Sequence, residues 1–359
     1  MAQSFRVGSE TLTALVADIF MRVGLPGEAA RAVANGLVEA DLEGIPSHGV
    51  MLVPMYAKRL SAGSVSLATR ARIASDMGCC VVLDAGNMLG QLSAAQAVDI
   101  AIERAARFGV GAVAVRNAFH LGAAGRYART MARADCVGIV MSNTRPLMPA
   151  PGAAERVVGN NPLAIALPSA GETPIEVDMA MSATAMGRIR MAAAAGQEIP
   201  ADWATDANGV PTRDPATAIT GMLLPAAGPK GFGLAFMIDL LCGGLSAGGT
   251  GGAVQPLYGD LVVPYNCAHF FVAIHVPHFR DIHEFKSAAD SLAERVRGSR
   301  RAPGVERIFS PGELSWARRA QSAGMCVIGR PLLTELVDLA ASLGAEIHPA
   351  IHELIGEPP

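Results

Sequence analysis

Apolar positions recur at helical spacing through residues 9–40 and are interrupted near Gly24-Leu25-Pro26, which predicts two amphipathic helices with Ser9 and Thr11 as candidate caps of the first. A third helix follows Pro46, runs through Tyr56 and Leu60, and ends at Gly63. The N-terminal region carries no strand signal, so it reads as wholly helical. The pattern changes after about residue 72. Cys80-Val81-Val82-Leu83 reads as a short buried strand. Ser93 then caps a helix whose apolar positions are Val98, Ala101, Ile102, Ala105 and Phe108, closed by Gly109. Val110 to Val115 is a strand, His120 to Ala134 a helix, and Val137 to Met141 a strand again. The β-α-β-α-β order predicts an α/β fold. Ile175-Glu176-Val177, Leu261-Val262-Val263 and Phe270 to Val276 are further strand candidates. Residues 283–300, 313–323 and 331–343 read as helices, the last stopped by Gly344.

Three polar segments directly follow predicted strands: Arg116 to His120, Ser142-Asn143-Thr144, and Asp178 to Ser182. In open α/β sheets, ligands collect beyond the carboxyl ends of strands, so these segments are the first places to look for a site. Ordinary loop polarity explains each one equally well when taken alone.

The chain has 359 residues, 51% of them apolar, enough for a large core and for two interleaved domains. Its 29 basic and 32 acidic residues give a formal charge of -3, so there is no basic surplus to hold nucleic acid. Charged residues make up only 17%, a sparse surface for a lone chain, which points to an oligomer. Met1 to Glu10 does not read as a signal peptide. The most apolar stretch, Leu234 to Leu245, is short and contains Asp239, whereas a membrane span needs about 20 apolar residues. Six cysteines without a CxxC pattern give neither a disulfide framework nor a zinc site. A cytoplasmic protein with no membrane association is expected.

Two tempting motifs fail on context. Gly109-Val110-Gly111-Ala112-Val113-Ala114 fits the G-x-G-x-x-A spelling, but it ends a helix and enters a strand, the reverse of a Rossmann turn. No phosphate-binding loop surrounds Lys230. His269, His275, His278 and His283 crowd together, yet His269 and His275 are six strand residues apart, roughly 20 Å, too far for one ion. His348 and His352 have helical i,i+4 spacing, but Pro349 lies between them. No metal site is expected.

An ordered series of short segments spans nearly the whole chain. It comprises Gly44-Ile45-Pro46-Ser47-His48-Gly49-Val50 with Tyr56, Arg116-Asn117 with His120-Leu121-Gly122-Ala123, and Ser142-Asn143. It continues with Gly159-Asn160-Asn161-Pro162, Val177 to Ser182, Leu224-Pro225 with Lys230 to Leu234, and Pro311-Gly312-Glu313. Taken together, this series resembles the malate/L-lactate dehydrogenase family of the non-Rossmann type, relatives of which act on sulfolactate, ureidoglycolate, diketogulonate and piperideine-2-carboxylate.

The resemblance implies an α/β fold with a non-Rossmann, NAD(P)-binding domain on a central mixed sheet (residues 73–303). It also implies a helical domain built from both chain ends (1–72 with 304–359). It further implies NAD or NADP as cofactor, a small carboxylic acid as substrate and a homodimer. The implied cofactor-binding residues are His120, Ser142, Asn143, Val177, Asp178, Met179, Ala180, Met181, Ser182, Ala183, Pro229, Lys230, Gly312, Glu313 and Leu314. The implied catalytic residues are His48 as proton donor, Asp178 as its carboxylate partner, and Ser47.

The residue types suit that chemistry. Hydride addition to a carbonyl leaves charge on oxygen, and a histidine, with a pKa near 6.5, can donate and recover a proton close to neutrality. On spacing alone, Ser47-His48-Gly49 could be a helix cap, Asp178 could cap a helix, and Lys230 could be solvated. One position departs from the family. Many members carry an arginine four residues after the histidine, placed to grip the substrate carboxylate, and here that residue is Leu52. Either another cation binds the carboxylate, with Arg145 and Arg188 as candidates, or the substrate presents a different group there. Arg188 is itself a departure, since lysine is expected there. Three other readings stay open: a cyclic ketimine reductase, a cofactor-binding protein without this chemistry, and a metal-dependent hydrolase.

Overall fold

The computed structural model describes residues 3–171 and 173–356. In chain order the strands are β1 (Ser4–Gly8), β2 (Arg72–Met77), β3 (Cys80–Asp84), β4 (Val110–Ala118), β5 (Cys136–Ser142), β6 (Leu163–Leu167), β7 (Ile175–Met179), β8 (Ala204–Thr205), β9 (Met222–Leu223), β10 (Cys267–His275) and β11 (Met325–Gly329). The helices are α1 (Ser9–Arg22), α2 (Gly27–Leu42), α3 (Val53–Ala62), α4 (Gly90–Phe108), α5 (Ala124–Arg133), α6 (Met186–Ala195), α7 (Pro215–Thr220), α8 (Pro229–Asp239), α9 (Ile282–Arg297), α10 (Glu313–Ser322), α11 (Arg330–Leu343) and α12 (Pro349–Ile355).

A seven-stranded sheet, in the order β2-β3-β4-β10-β5-β6-β7, forms the centre. β3 and β4 are parallel and every other neighbouring pair is antiparallel, so the sheet is mixed, as expected. β10 lies between β4 and β5 and runs opposite to both, so the carboxyl ends of β4 and β5 share one edge of the sheet. Asn117 to His120 leave from one of these ends, and Asn143 to Arg145 from the other. α4 and α5 cover the sheet through their alanine-rich faces, and Gly111 and Gly138 admit them, since a Cβ at either position would collide with helix backbone.

Several local expectations need correction. The N-terminal region is not wholly helical: β1 pairs with β11, burying Phe5 and Val7, and so joins the two chain ends. Five residues are too few for a clear alternation signal, and the partner is more than 300 residues away. β2 and β6 also escaped the pattern. Leu261-Val262-Val263 is a turn, because Asp260 Oδ1 accepts the Val262 N–H at 3.0 Å between Gly259 and Pro264. Neither Ser9 nor Thr11 caps α1; its N-cap is Gly8. Ser93 lies inside α4, where its hydroxyl bonds back to Gly90 C=O at 3.2 Å. α5 starts at Ala124, four residues later than expected, because Gly122 sits at φ +83° and Ala123 is extended. Gly63, Gly109 and Gly344 do end their helices in the left-handed conformation.

Candidate active site

The Ser47-His48-Gly49 segment forms a tight turn of 3₁₀ helix between α2 and α3. Asp41, near the end of α2, pins it by accepting the Val50 N–H at 2.8 Å. Gly49 passes so close to the Asp41 carboxyl that an added Cβ would lie within 2.4 Å of it. A side chain at 49 would therefore displace either the carboxylate or the segment. Burial raises Asp41 to about 7, against the opposing Val50 hydrogen bond.

His48 keeps partial solvent access, and its Nδ1 lies 3.0 Å from the Ser47 hydroxyl. Its ring stacks on His120, with centroids 5.5 Å apart and planes at 23°. Burial lowers the His48 pKa below the usual value, and the charge of Asp178 partly restores it.

His120 is held from behind. Tyr56, fully buried on α3, has its hydroxyl 2.7 Å from His120 Nδ1, and Gln91 Nε2 donates to the same oxygen at 3.2 Å. Burial pushes the Tyr56 phenol well above its ordinary range, so it stays protonated and donates. Burial, then the neighbouring His48 and His269, lower His120 to about 3, so it is neutral near pH 7. A neutral ring that accepts at Nδ1 carries its proton on Nε2. Among the described residues that N–H has no partner, so the ring presents one fixed donor beside His48.

His269 completes the layer and was missed as a site residue. Its Nε2 is 3.1 Å from Phe119 C=O and its Nδ1 is 2.9 Å from the Ser142 hydroxyl. A carbonyl only accepts, so the proton sits on Nε2 and Ser142 donates to Nδ1. Burial lowers His269 to about 4 and keeps it neutral. No local sequence signal marks His269, because its partners, Phe119 just after β4 and Ser142 at the end of β5, lie more than 120 residues away.

The expected cofactor segments lie next to one another. Met181 N–H donates to Asn160 C=O at 2.7 Å, Ala183 N–H to Leu224 C=O at 2.8 Å, and Ala226 N–H to Met181 C=O at 2.9 Å, which brings 177–183 against 224–230. Gly312 abuts Glu176 on β7 so closely that a Cβ there would be 2.6 Å from Glu176 Cγ. Val177 and Met179, on the edge strand β7, are exposed, as are Pro229 and Lys230 at the start of α8. The added-Cβ positions at Gly228 and Gly233 meet open space, and the buried Thr184 hydroxyl lacks a partner among the described residues. An open apolar edge, an exposed cation, glycine clearances and an orphaned hydroxyl together fit a dinucleotide. Asn143 is fully buried and committed inside the protein: its side-chain amide bonds Asp239 Oδ1, Gly249 C=O and Ala268 N–H, each at 2.7 Å, its N–H donates to Ala268 C=O at 3.1 Å and its C=O accepts the Ser142 hydroxyl at 3.2 Å, so it braces the carboxyl end of β5.

Asp178 is on the edge strand β7 and keeps solvent exposure, although protein crowds its carboxyl. Its Oδ2 accepts the Gly125 N–H at 2.7 Å, and among the described residues it makes no ion pair with His48 within 4 Å. Burial raises its pKa, opposed by the Gly125 bond, His48 and Arg129 in that order. Behind it, the buried Arg129 bridges Glu43 at 2.6 Å and Glu176 at 3.2 Å, tying α2, α5 and β7 together. Leu52 is 1% exposed and packs in the main core, so position 52 offers nothing to a substrate. Arg145 is half-buried and Arg188 exposed, and neither pairs with a carboxylate among the described residues.

A family model described as malate/L-lactate dehydrogenase matches residues 7–331. A malate dehydrogenase of Pyrococcus abyssi is 35% identical over 350 residues, covering 95% of this chain and 96% of that one. An NAD(+) ureidoglycolate dehydrogenase of Escherichia coli O157:H7 is 35% identical over 318 residues, covering 89% and 90%. The solved sulfolactate dehydrogenase of Methanocaldococcus jannaschii superposes with a TM-score of 0.90 at 33% identity, covering 96% of this chain and 98% of that one.

Proposed function

The chain belongs to the malate/L-lactate dehydrogenase family, and from that premise we propose that it moves hydride between NAD(P)H and a small 2-oxo acid, with His48 as the proton donor. The observation that carries this reading is the His48–His120 stack, in which His120 is locked neutral while His48 keeps partial solvent access and is drawn back toward its charged form by Asp178.

When bound, the reduced nicotinamide supplies hydride to the carbonyl carbon. The carbonyl oxygen then needs a proton, and His48, protonated on the ring nitrogen that faces away from Ser47, is the group to give it. His120 Nε2–H can donate a hydrogen bond to the same oxygen as negative charge grows there. Asp178 favours the charged form of His48 through space. Ser47 orients the His48 ring. In the oxidising direction, neutral His48 takes the proton back.

The cofactor residues of this proposal are His120, Ser142, Asn143, Val177 to Ala183, Pro229-Lys230 and Gly312 to Leu314. Lys230 would offer a point charge to a phosphate. The division into 1–72 with 304–359 and 73–303 belongs to the same proposal. A second copy of the chain is the partner we propose, supported by the exposed Leu234, Phe236, Met237, Leu240 and Leu245 along α8 and the turn after it. No described helix is long and apolar enough to cross a membrane. All six cysteines are unpaired, which suits a reducing cytoplasm.

The test is NAD(P)H oxidation over a panel of 2-oxo acids, wild type against His48→Ala. The variant should lose about 10²-fold or more in turnover, the scale of a missing general acid. A much smaller loss removes His48 from the role, and nucleotide binding without turnover of any acid removes the reaction.

A further inference from the structure

The turn between β2 and β3 gathers three sulfur side chains at a solvent-facing tip. Met77 and Cys80 are directly opposed residues of the hairpin, closed by the two-residue loop Gly78-Cys79. Directly opposed residues project from the same face, with Cβ atoms about 4.5–5.5 Å apart. Along a regular strand, Cys79 and Cys80 would point to opposite faces. The turn, with Gly78 at φ +70°, instead brings Cys79 round so that the two Sγ atoms lie 3.8 Å apart. That is far beyond the roughly 2.05 Å of a disulfide. It does match a chelate: metal–thiolate bonds of about 2.3 Å put two sulfurs of one tetrahedral or trigonal centre about 3.8–4.0 Å apart.

The third sulfur is the Met77 thioether. Met77 is 76% exposed, so its thioether is open to an approaching ion. The tip is also firmly anchored. Ala112 N–H donates to Cys79 C=O at 2.8 Å, and Cys80 pairs with Ala112 in parallel register, so the loop is fixed to the central sheet. The ring of Phe108 lies beside Gly78. The other four cysteines are buried.

We propose that Met77, Cys79 and Cys80 form a binding site for a soft monovalent cation, Cu(I), held by two thiolates and one thioether. Thiolate and thioether together select Cu(I), whereas a structural zinc site would need four ligands. Binding is an exchange: two thiol protons pass to solvent, two Cu–S bonds form to the thiolates, and the thioether donates a lone pair, with no change of oxidation state. The site lies at the amino end of β3, the opposite end of the sheet from His120 and Ser142, and does not depend on the reaction proposed above.

The experiment is an anaerobic competition of the full chain against a chromophoric Cu(I) chelator, read by loss of colour. Wild type should take one equivalent. Cys80→Ser should weaken binding by about 100-fold or more and Met77→Leu, close in volume, by about tenfold. X-ray absorption on the loaded wild type should find three sulfur neighbours. The proposal is overturned if Cys80→Ser binds as tightly as wild type, if Met77→Leu is unchanged, or if absorption finds two sulfurs. Because absorption uses the wild type, the result does not hang on how the variants fold.

Discussion

His48 and His120 stack with ring centroids 5.5 Å apart, yet their environments differ: His120 is lowered to about 3, whereas Asp178 offsets part of the lowering at His48. Tyr56 and burial hold His120 neutral, so bringing a second imidazole close costs His48 little repulsion. The pair thus divides the work, with a titrating ring toward solvent and a fixed donor behind it.

The first prediction concerns pH. Reduction needs protonated His48, and its pKa lies below the usual 6.5, so the rate of reduction should rise as pH falls through that lowered value. Asp178 raises the His48 pKa, so Asp178→Asn should move this limb to still lower pH. Each pH unit of displacement lowers the rate at pH 7 by about tenfold, with little loss on the acid plateau. Oxidation, which needs neutral His48, should hardly change at pH 8. A limb that stays in place in the pH–rate profile of Asp178→Asn shows that Asp178 does not tune His48.

A second prediction follows from the charges beneath Asp178. Arg129 is buried between Glu43 and Glu176, and burial raises both carboxyls, Glu176 to about 7, even with the arginine present. Removing the arginine strands the Glu176 carboxylate and leaves Glu43 with Arg319 alone, at 3.1 Å. Arg129→Met should cost about 3–5 kcal/mol in denaturant unfolding. The cost should be smaller at pH 5 than at pH 8, because these carboxyls can then take up protons. An equal cost at both values would mean that water reaches them.

His269 gives a third. It satisfies Phe119 C=O and Ser142 Oγ together from a fully buried position. His269→Leu should therefore cost about 1–3 kcal/mol for the Phe119 carbonyl left without a partner, while the Ser142 hydroxyl falls back on Asn143 C=O at 3.2 Å. It should also loosen the Ser142 hydroxyl, raising KM for the nucleotide more than it lowers kcat. An unchanged KM would confine His269 to a structural role.

These residues mark how far the sequence could be read. The helix stops at Gly63, Gly109 and Gly344 and the strands around β4, β5 and β10 were legible, because glycine chemistry and apolar runs are local. The Ser47-His48 and His120 segments were legible as an ordered series of motifs. β1 was not, since its signal is five residues long and its partner is β11 at the other end of the chain. The function of His269 was hidden for the same reason: its strand position could be read, but its two partners are set by sheet order. Leu52 carried the opposite lesson. It read as a gap in substrate binding, and it is a packed core residue.

Asp41 supports the last prediction. Its carboxyl bonds the Val50 N–H and braces the His48 turn, yet burial raises its pKa from 3.8 to about 7. An acid with a raised folded-state pKa binds a proton on folding, so its contribution to stability is complete below pH 3.8 and is lost as pH rises through about 7. Above that, the folded protein carries a poorly solvated carboxylate. Asp41→Asn keeps an oxygen to accept the Val50 N–H and removes the charge. The variant should be as stable as wild type near pH 4 and more stable at pH 8, with a flatter slope between, measured by urea unfolding at each pH. If its stability falls with pH just as wild type does, Asp41 is ionised throughout and its carboxylate is better solvated than the packing around Gly49 suggests.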